Sequence, residues 1–186
     1  MNDKYIFGLV VIATTLFATI SIVSNVLVGS SPISGASLTY NTAVCVYKNG
    51  ELVGPCSHNL VTNAGKEYLE QCLGASSCGA NAFVTLAIAN CTGGVDVADT
   101  VLCGAAGQAY TGCGLAAATG SYVSAGTGAW NVTYTWTADS GCSNLPVNAT
   151  GLLNATSGTL LAENNFTSVV LEGLDQINVT WGIWVT

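Results

Sequence analysis

Residues 129–137 read Ala-Trp-Asn-Val-Thr-Tyr-Thr-Trp-Thr, and their parity decides the fold class. Trp130, Val132, Tyr134 and Trp136 fall on one side of a two-residue repeat, and Asn131, Thr133, Thr135 and Thr137 on the other. That is a strand with one face in a core and one in water. The chain closes on the same pattern, with Ile177, Val179, Trp181, Ile183 and Val185 opposite Asn178 and Thr180, while Trp184 shares the polar face. Further strand candidates are residues 38–47, 51–53, 83–89, 101–103, 121–124 and 167–171, rich in Val, Thr, Ile and aromatics and punctuated by Gly, Asn, Asp and Ser. Many short strands with regular turns predict an all-β sandwich.

One segment breaks the pattern. Thr62 or Asn63 is a good helix N-cap, Tyr68, Leu69, Cys72 and Leu73 recur at helical spacing, and Gly74 supplies a stop, so one short helix is expected. Between residues 104 and 128 the composition turns to Gly, Ala, Ser and Thr, which suits a loop or weakly packed edge strands.

The chain has 186 residues, of which 7% are charged, against about 25% in an ordinary soluble domain. Three lysines, no arginine and a net charge of −7 leave no cationic surface for phosphate, which excludes nucleic acid as a partner. Residues 5–28 carry no charge and follow Lys4, as in a signal peptide or membrane segment. The small residues from Gly29 to Ala36 suit cleavage near Ser30 or after Ala36. Residues 1–30 are therefore read as a targeting segment that makes membrane contact only in the precursor, residues 31–44 as a flexible tail, and residues 45–186 as the head domain. An exported chain carries its cysteines as disulfides, here Cys45, Cys56, Cys72, Cys78, Cys91, Cys103, Cys113 and Cys142, with no Cys-x-x-Cys pair to suggest zinc or redox chemistry. About a hundred connectivities are open to eight cysteines. Pairing of neighbours is expected, because Cys45 and Cys56 bracket a hairpin signal at Asn49-Gly50.

Asn-x-Thr sequons stand at Asn90, Asn131, Asn148, Asn154, Asn165 and Asn178, and those on the alternating strands, Asn131 and Asn178, fall on the polar face. N-linked glycans there would coat a sheet without disturbing its core. Convergent chemistry is scarce. His58 is the only histidine and lies close to Cys56, no Gly-x-Ser-x-Gly elbow occurs, and Asp96 and Asp99 offer oxygens without a calcium-loop pattern. Neither an enzyme nor a cofactor or metal site is expected. Lys48 and Lys66, the lysines beyond the targeting segment, leave an internal isopeptide bond conceivable.

Leu38, Tyr40 and Val44 share one parity in an uncharged stretch next to the expected cleavage site. A strand at a terminus has unpaired backbone groups that invite pairing with another chain, and a head-to-tail contact of that kind propagates into a filament. Over residues 30–186 this combination of export signal, sequons, disulfides and strand-like N-terminus resembles the glycosylated thread-type pilins of archaea. The resemblance implies an immunoglobulin-like or pilin-like head, akin to bacterial chaperone-usher pilins, that lacks one strand and receives it from a neighbour's tail. That tail maps here to residues 31–44, with Leu38, Tyr40 and Val44 at the subunit interface. The expected role is a homopolymeric extracellular filament at the cell surface, serving adhesion or biofilm formation. Two alternatives keep the apolar segment: a membrane-anchored surface or virion glycoprotein with a binding ectodomain, and a type IV pilin-like subunit. Tyr-Ile-Phe-Gly after Lys4 departs from the small residue usual past a type IV pilin cut.

Overall fold

Each alternating segment finds its place in one of two antiparallel sheets. The computed structural model describes residues 39–75, 83–104, 108–154 and 158–185, within a folded unit that begins at Thr39. The first sheet pairs β1 (Tyr40–Lys48) with β11 (Gln176–Val185), β11 with β8 (Ala129–Thr137), and β8 with β7 (Ser121–Gly126). Two-residue strands β2 (Glu51–Leu52) and β3 (Ser57–His58) line the other side of β1. The second sheet runs β4 (Leu60–Val61), β10 (Leu160–Leu171), β9 (Leu145–Leu153), β5 (Thr85–Ala89), β6 (Ala118–Thr119). The all-β sandwich read from the alternation is the observed architecture.

The first sheet follows the sequence pattern closely. Val132 and Trp136 on β8, Ile177, Val179, Trp181 and Ile183 on β11, and Val44 and Val46 on β1 all turn inward and are buried. They meet Leu86, Ile88, Val147, Leu152, Leu161 and Leu171 of the second sheet in one core. Both fully buried tryptophans keep their indole N–H satisfied, Trp136 on the Ala116 carbonyl at 2.8 Å and Trp181 toward Thr150 Oγ1 at 3.4 Å. Asn49-Gly50 makes the hairpin turn with both residues at positive φ, and Lys48 pairs with Glu51 across it.

The second sheet is covered on both faces over β5, β9 and the first half of β10. Its outer face carries a second apolar cluster of Ala87, Ala89, Ala149, Leu153 and Leu160 beneath Cys91, Leu102 and Cys103. The segment between the two cysteines folds over β5, β9 and β10, and Cys91–Cys103 closes it. Residues 101–103, expected as a strand, instead end in a 3₁₀ turn, Leu102–Gly104, with Cys103 at φ +68°. The left-handed residue turns the chain back over the sheet, which a strand would run past.

Two further bridges, Cys45–Cys56 and Cys113–Cys142, also join neighbours in sequence, as expected. The pair expected between Cys72 and Cys78 lies outside the described residues. The expected helix forms as α1 (Asn63–Ala75). Thr62 is its cap, with its Oγ1 accepting the Gly65 amide at 3.0 Å and donating to the Leu160 carbonyl at 2.6 Å. Gly65 lies against β10 so closely that a Cβ would fall 2.1 Å from the Leu161 carbonyl oxygen.

Gly65→Ala should therefore lower stability by about 2 kcal/mol or more, through overpacking against backbone that cannot yield. Tyr40→Phe should leave stability unchanged or raise it, because the Tyr40 hydroxyl is buried without a partner. Denaturant melts of the two variants check both, and an unaffected Gly65→Ala protein would show that the helix shifts freely on the sheet.

Candidate functional site

A sandwich presents four strand edges; at three of them the outermost strands are two residues long, and past β4 the far half of β10, exposed at Asn165, Thr167, Ser168 and Val170, has no strand outside it among the described residues. β2 and β3 are two residues each, Glu51 puts a charge on the first, and Cys45–Cys56 staples β1 to the segment that enters β3. β4 and β6 are two residues long. β7 is different: six residues, Ser-Tyr-Val-Ser-Ala-Gly, every one exposed, with neither charge nor proline to protect the edge. Tyr122 is 59% and Val123 58% exposed.

The local sequence explains how β7 comes to stand free. β6 pairs with β5 in the second sheet, and β7 pairs with β8 in the first, so the chain changes sheets at Gly120. A Cβ there would lie 2.8 Å from Val132 Cγ1 and 3.0 Å from the Thr133 carbonyl oxygen, so only glycine fits the crossing. Tyr122 stands opposite Val132, on the parity that faces the core, yet it is left largely exposed.

The register also fixes where the chain enters the head. Tyr40 pairs with Val185, Trp184 with Ala129, and Ala129 with Gly126, so the start of β1 and the end of β7 lie at the same end of the sheet. Tyr40 and Val44, expected to leave the head as part of a donated tail, belong to the protein's own sheet. β1 pairs with β11 at nine consecutive positions, and Cys45–Cys56 holds it there, so the boundary between tail and head moves from residue 44 to Thr39. Leu38 lies outside the described residues, as do residues 1–30.

The sequon asparagines divide by environment. Asn131 and Asn178 occupy the outward face of the first sheet, where Asn178 Nδ2 donates to Thr135 Oγ1 at 2.8 Å. Asn165 is exposed, with a single 3.5 Å contact from Nδ2 to the Gly93 carbonyl. Asn90 is half-buried just past β5. Asn148 is engaged on both sides: its Oδ1 accepts the Cys91 amide at 2.7 Å and its Nδ2 donates to the Cys91 carbonyl at 2.8 Å. Asn154 has its Oδ1 buried.

The remaining candidates are placed as follows. His58 meets the ring of Trp184 edge-on, centroids 6.4 Å apart, while the neighbouring Ser57 hydroxyl donates to Asn164 Oδ1 at 3.1 Å, so serine and histidine are not paired. Trp184, on the polar parity, is thereby packed against the protein's own edge. Lys48 Nζ sits 3.0 Å from Asp175 Oδ2 and donates to the Val170 carbonyl at 2.7 Å. The Glu172 amide, the Asn49 side chain and Lys48, in that order, hold Asp175 down to about 2, so it is a carboxylate in an ion pair and not the neutral acid an isopeptide requires. Asp99 and Glu163 of β10 both accept the Asp96 amide, at 3.0 and 3.1 Å. Glu163 is fully buried and carries no sequence signal beyond being one acid in an apolar run. Among the described residues no cluster of three or more His, Cys, Asp or Glu is arranged to hold a metal ion.

Comparison with protein-family models, with curated proteins and with solved structures finds no match to this chain.

Asp175 makes a prediction with a definite sign. A carboxylate whose folded pKa is depressed from 3.8 to about 2 contributes stability above 3.8 that is lost as the pH falls through 2. Asp175→Asn should flatten that acid limb in melts taken between pH 4 and pH 2. A limb identical to the unsubstituted protein's would mean that the Lys48–Asn49–Asp175 contacts do not act on folding.

Proposed function

We propose that the protein is a structural subunit of an extracellular, cell-surface filament, polymerising head to tail by strand addition and serving adhesion or biofilm formation. The observation that carries this reading is β7, an edge strand of six uncharged residues, every one exposed. The occupant is residues 31–38 of a second copy, Ser-Pro-Ile-Ser-Gly-Ala-Ser-Leu, also free of charge.

Strand geometry argues that the donor comes from another molecule. A strand added beyond β7 lies four strand spacings from β1, roughly 19 Å at about 4.8 Å each. The two residue steps from Leu38 to Tyr40 span at most about 7 Å. A chain therefore cannot lay these residues on its own β7 and still enter β1. Each subunit gives a tail and receives one on a different surface, which is a heterologous contact that does not close on itself. Main-chain hydrogen bonds supply the affinity and Tyr122 a side-chain contact.

Glycans belong to the same reading. Asn131, Asn165 and Asn178 present their amides outward, and Asn90 does so in part. A glycan on Asn148 would pull its amide from Cys91, and one on Asn154 would have to displace buried surroundings.

Deleting residues 31–38 should abolish filaments at the cell surface, and Val123→Lys should do the same while changing the stability of the head by no more than about 0.5 kcal/mol, as for an exposed substitution. Electron microscopy of cells carrying each variant reads the result; filaments of ordinary length from both would overturn the proposal. A mature protein that retains Asn2 and Lys4 would favour the membrane-anchored alternative. Glycopeptide mass spectrometry should find Asn131, Asn165 and Asn178 occupied and Asn148 bare, and the opposite pattern would remove glycosylation from this account.

A further inference from the structure

We infer that the buried Glu163 is a neutral, protonated acid beside Asp99, and that in this form it clamps the Cys91–Cys103 loop onto the second sheet. Glu163 stands on β10 opposite Leu60 of β4 and Gly151 of β9, at a position with no exposure. Its Oε1 accepts the Asp96 amide and its Oε2 the Cys103 amide, both at 3.1 Å. The two amides bracket the loop, so a single side chain ties both of its limbs to the sheet. Asp99 closes the arrangement: its Oδ2 accepts the same Asp96 amide at 3.0 Å, so two acidic side chains converge on one N–H. Two carboxylates so placed are both acceptors and repel, and a proton on the buried one removes the repulsion.

The surroundings favour the protonated acid. The titratable groups acting on Glu163 are Asp99 and, through its amide, Asp96. Leu60 and Gly151 bring no charge, and Lys66, on the nearby helix, is exposed. Burial above all, then the side chain and the charge of Asp99, push Glu163 up to about 7 against the lowering effect of the two amides. A carboxyl of raised folded pKa contributes stability that is fully present below its unfolded value of 4.5. That contribution is lost as the pH rises through 7, where Glu163 ionises in its buried position beside Asp99. The loop is thus locked in acid and loosened toward alkaline pH, whether or not the protein assembles into filaments.

Hydrogen exchange on the full chain, corrected for intrinsic rates, tests this. The Asp96 and Cys103 amides should be at least about tenfold better protected at pH 5 than at pH 8, while amides of β8 and β11 change less. Glu163→Gln replaces the protonated acid with a neutral amide whose single oxygen accepts only one of the two backbone amides, so the protection that remains should be lower but level across that range. Asp99→Asn removes the neighbouring charge and leaves the burial of Glu163 in place, so it should shrink the pH dependence without abolishing it, and it serves if the first variant fails to fold. Loop protection in the unsubstituted protein that does not change between pH 5 and pH 8 would overturn the inference, and so would a pH dependence that persists in folded Glu163→Gln or is undiminished in Asp99→Asn.

Discussion

Over β5, β9 and the first half of β10 the second sheet has no face in water, and the rest of the structure follows from how that part of its outer face is sealed. A strand layer covered on both sides must find partners for every polar group of the covering segment, since a buried unpaired amide costs about 1–3 kcal/mol. The loop from Cys91 to Cys103 is short and glycine-rich and forms no strand pairing of its own on that face. Its amides are met from below, at Asp96 and Cys103 by Glu163 and at Cys91 by Asn148. Side chains of β10 and β9 thus do for the lid what a further strand would do in a three-layer fold. The disulfide Cys91–Cys103 shortens the loop in the unfolded chain as well, so less entropy is lost when it is laid down.

This double coverage explains which parts of the fold are legible in the sequence. Period-two alternation exists only where one face is wet. The first sheet satisfies that condition, and β1, β7, β8 and β11 are readable together with the Asn49-Gly50 turn. β9 and the first half of β10 are not readable, because residues 149–153 and 160–164 are buried at consecutive positions and their letters carry no period. Pro146 and Gly151 further disguise β9 as a loop. Glu163 is hidden for the same reason: an acid in such a run looks like a surface residue unless the lid above it is known. The two-residue strands β3, β4 and β6 are set by their partners and have no local signature. Cysteine pairing is legible in part because hairpins and short loops bring sequence neighbours together.

The edges form the other half of the design. A sandwich that spends its bulk on a sealed second sheet still leaves the first sheet with two ends, and disulfide, charge and brevity close one of them. Gly120 sends the chain across at the other end and leaves β7 without an outer neighbour. Val123 lies beside Asn131 on the outward face, and Tyr122 points to the inner side that β6 is too short to cover. Any strand that docks there approaches with one face toward a sequon and the other toward an aromatic ring, so the edge discriminates by side chain as well as by backbone.

Charge acquires a structural meaning in this setting. With 7% charged residues, the protein carries its surface polarity in Thr, Ser, Asn and backbone, which do not titrate between pH 2 and pH 9. The few acids that do titrate within the fold divide by environment. Asp175 is exposed to an amide, an asparagine and a lysine that favour its anion, and it opposes unfolding until strong acid is reached. Glu163 is buried beside another acid and favours the neutral form, so it resists acid and yields to base. A chain rich in surface carboxylates and arginines would bury these two terms among dozens of others; here they define the range. Between the protonation of Asp175 and the ionisation of Glu163 both contributions are present together, and that interval lies on the acid side of neutrality.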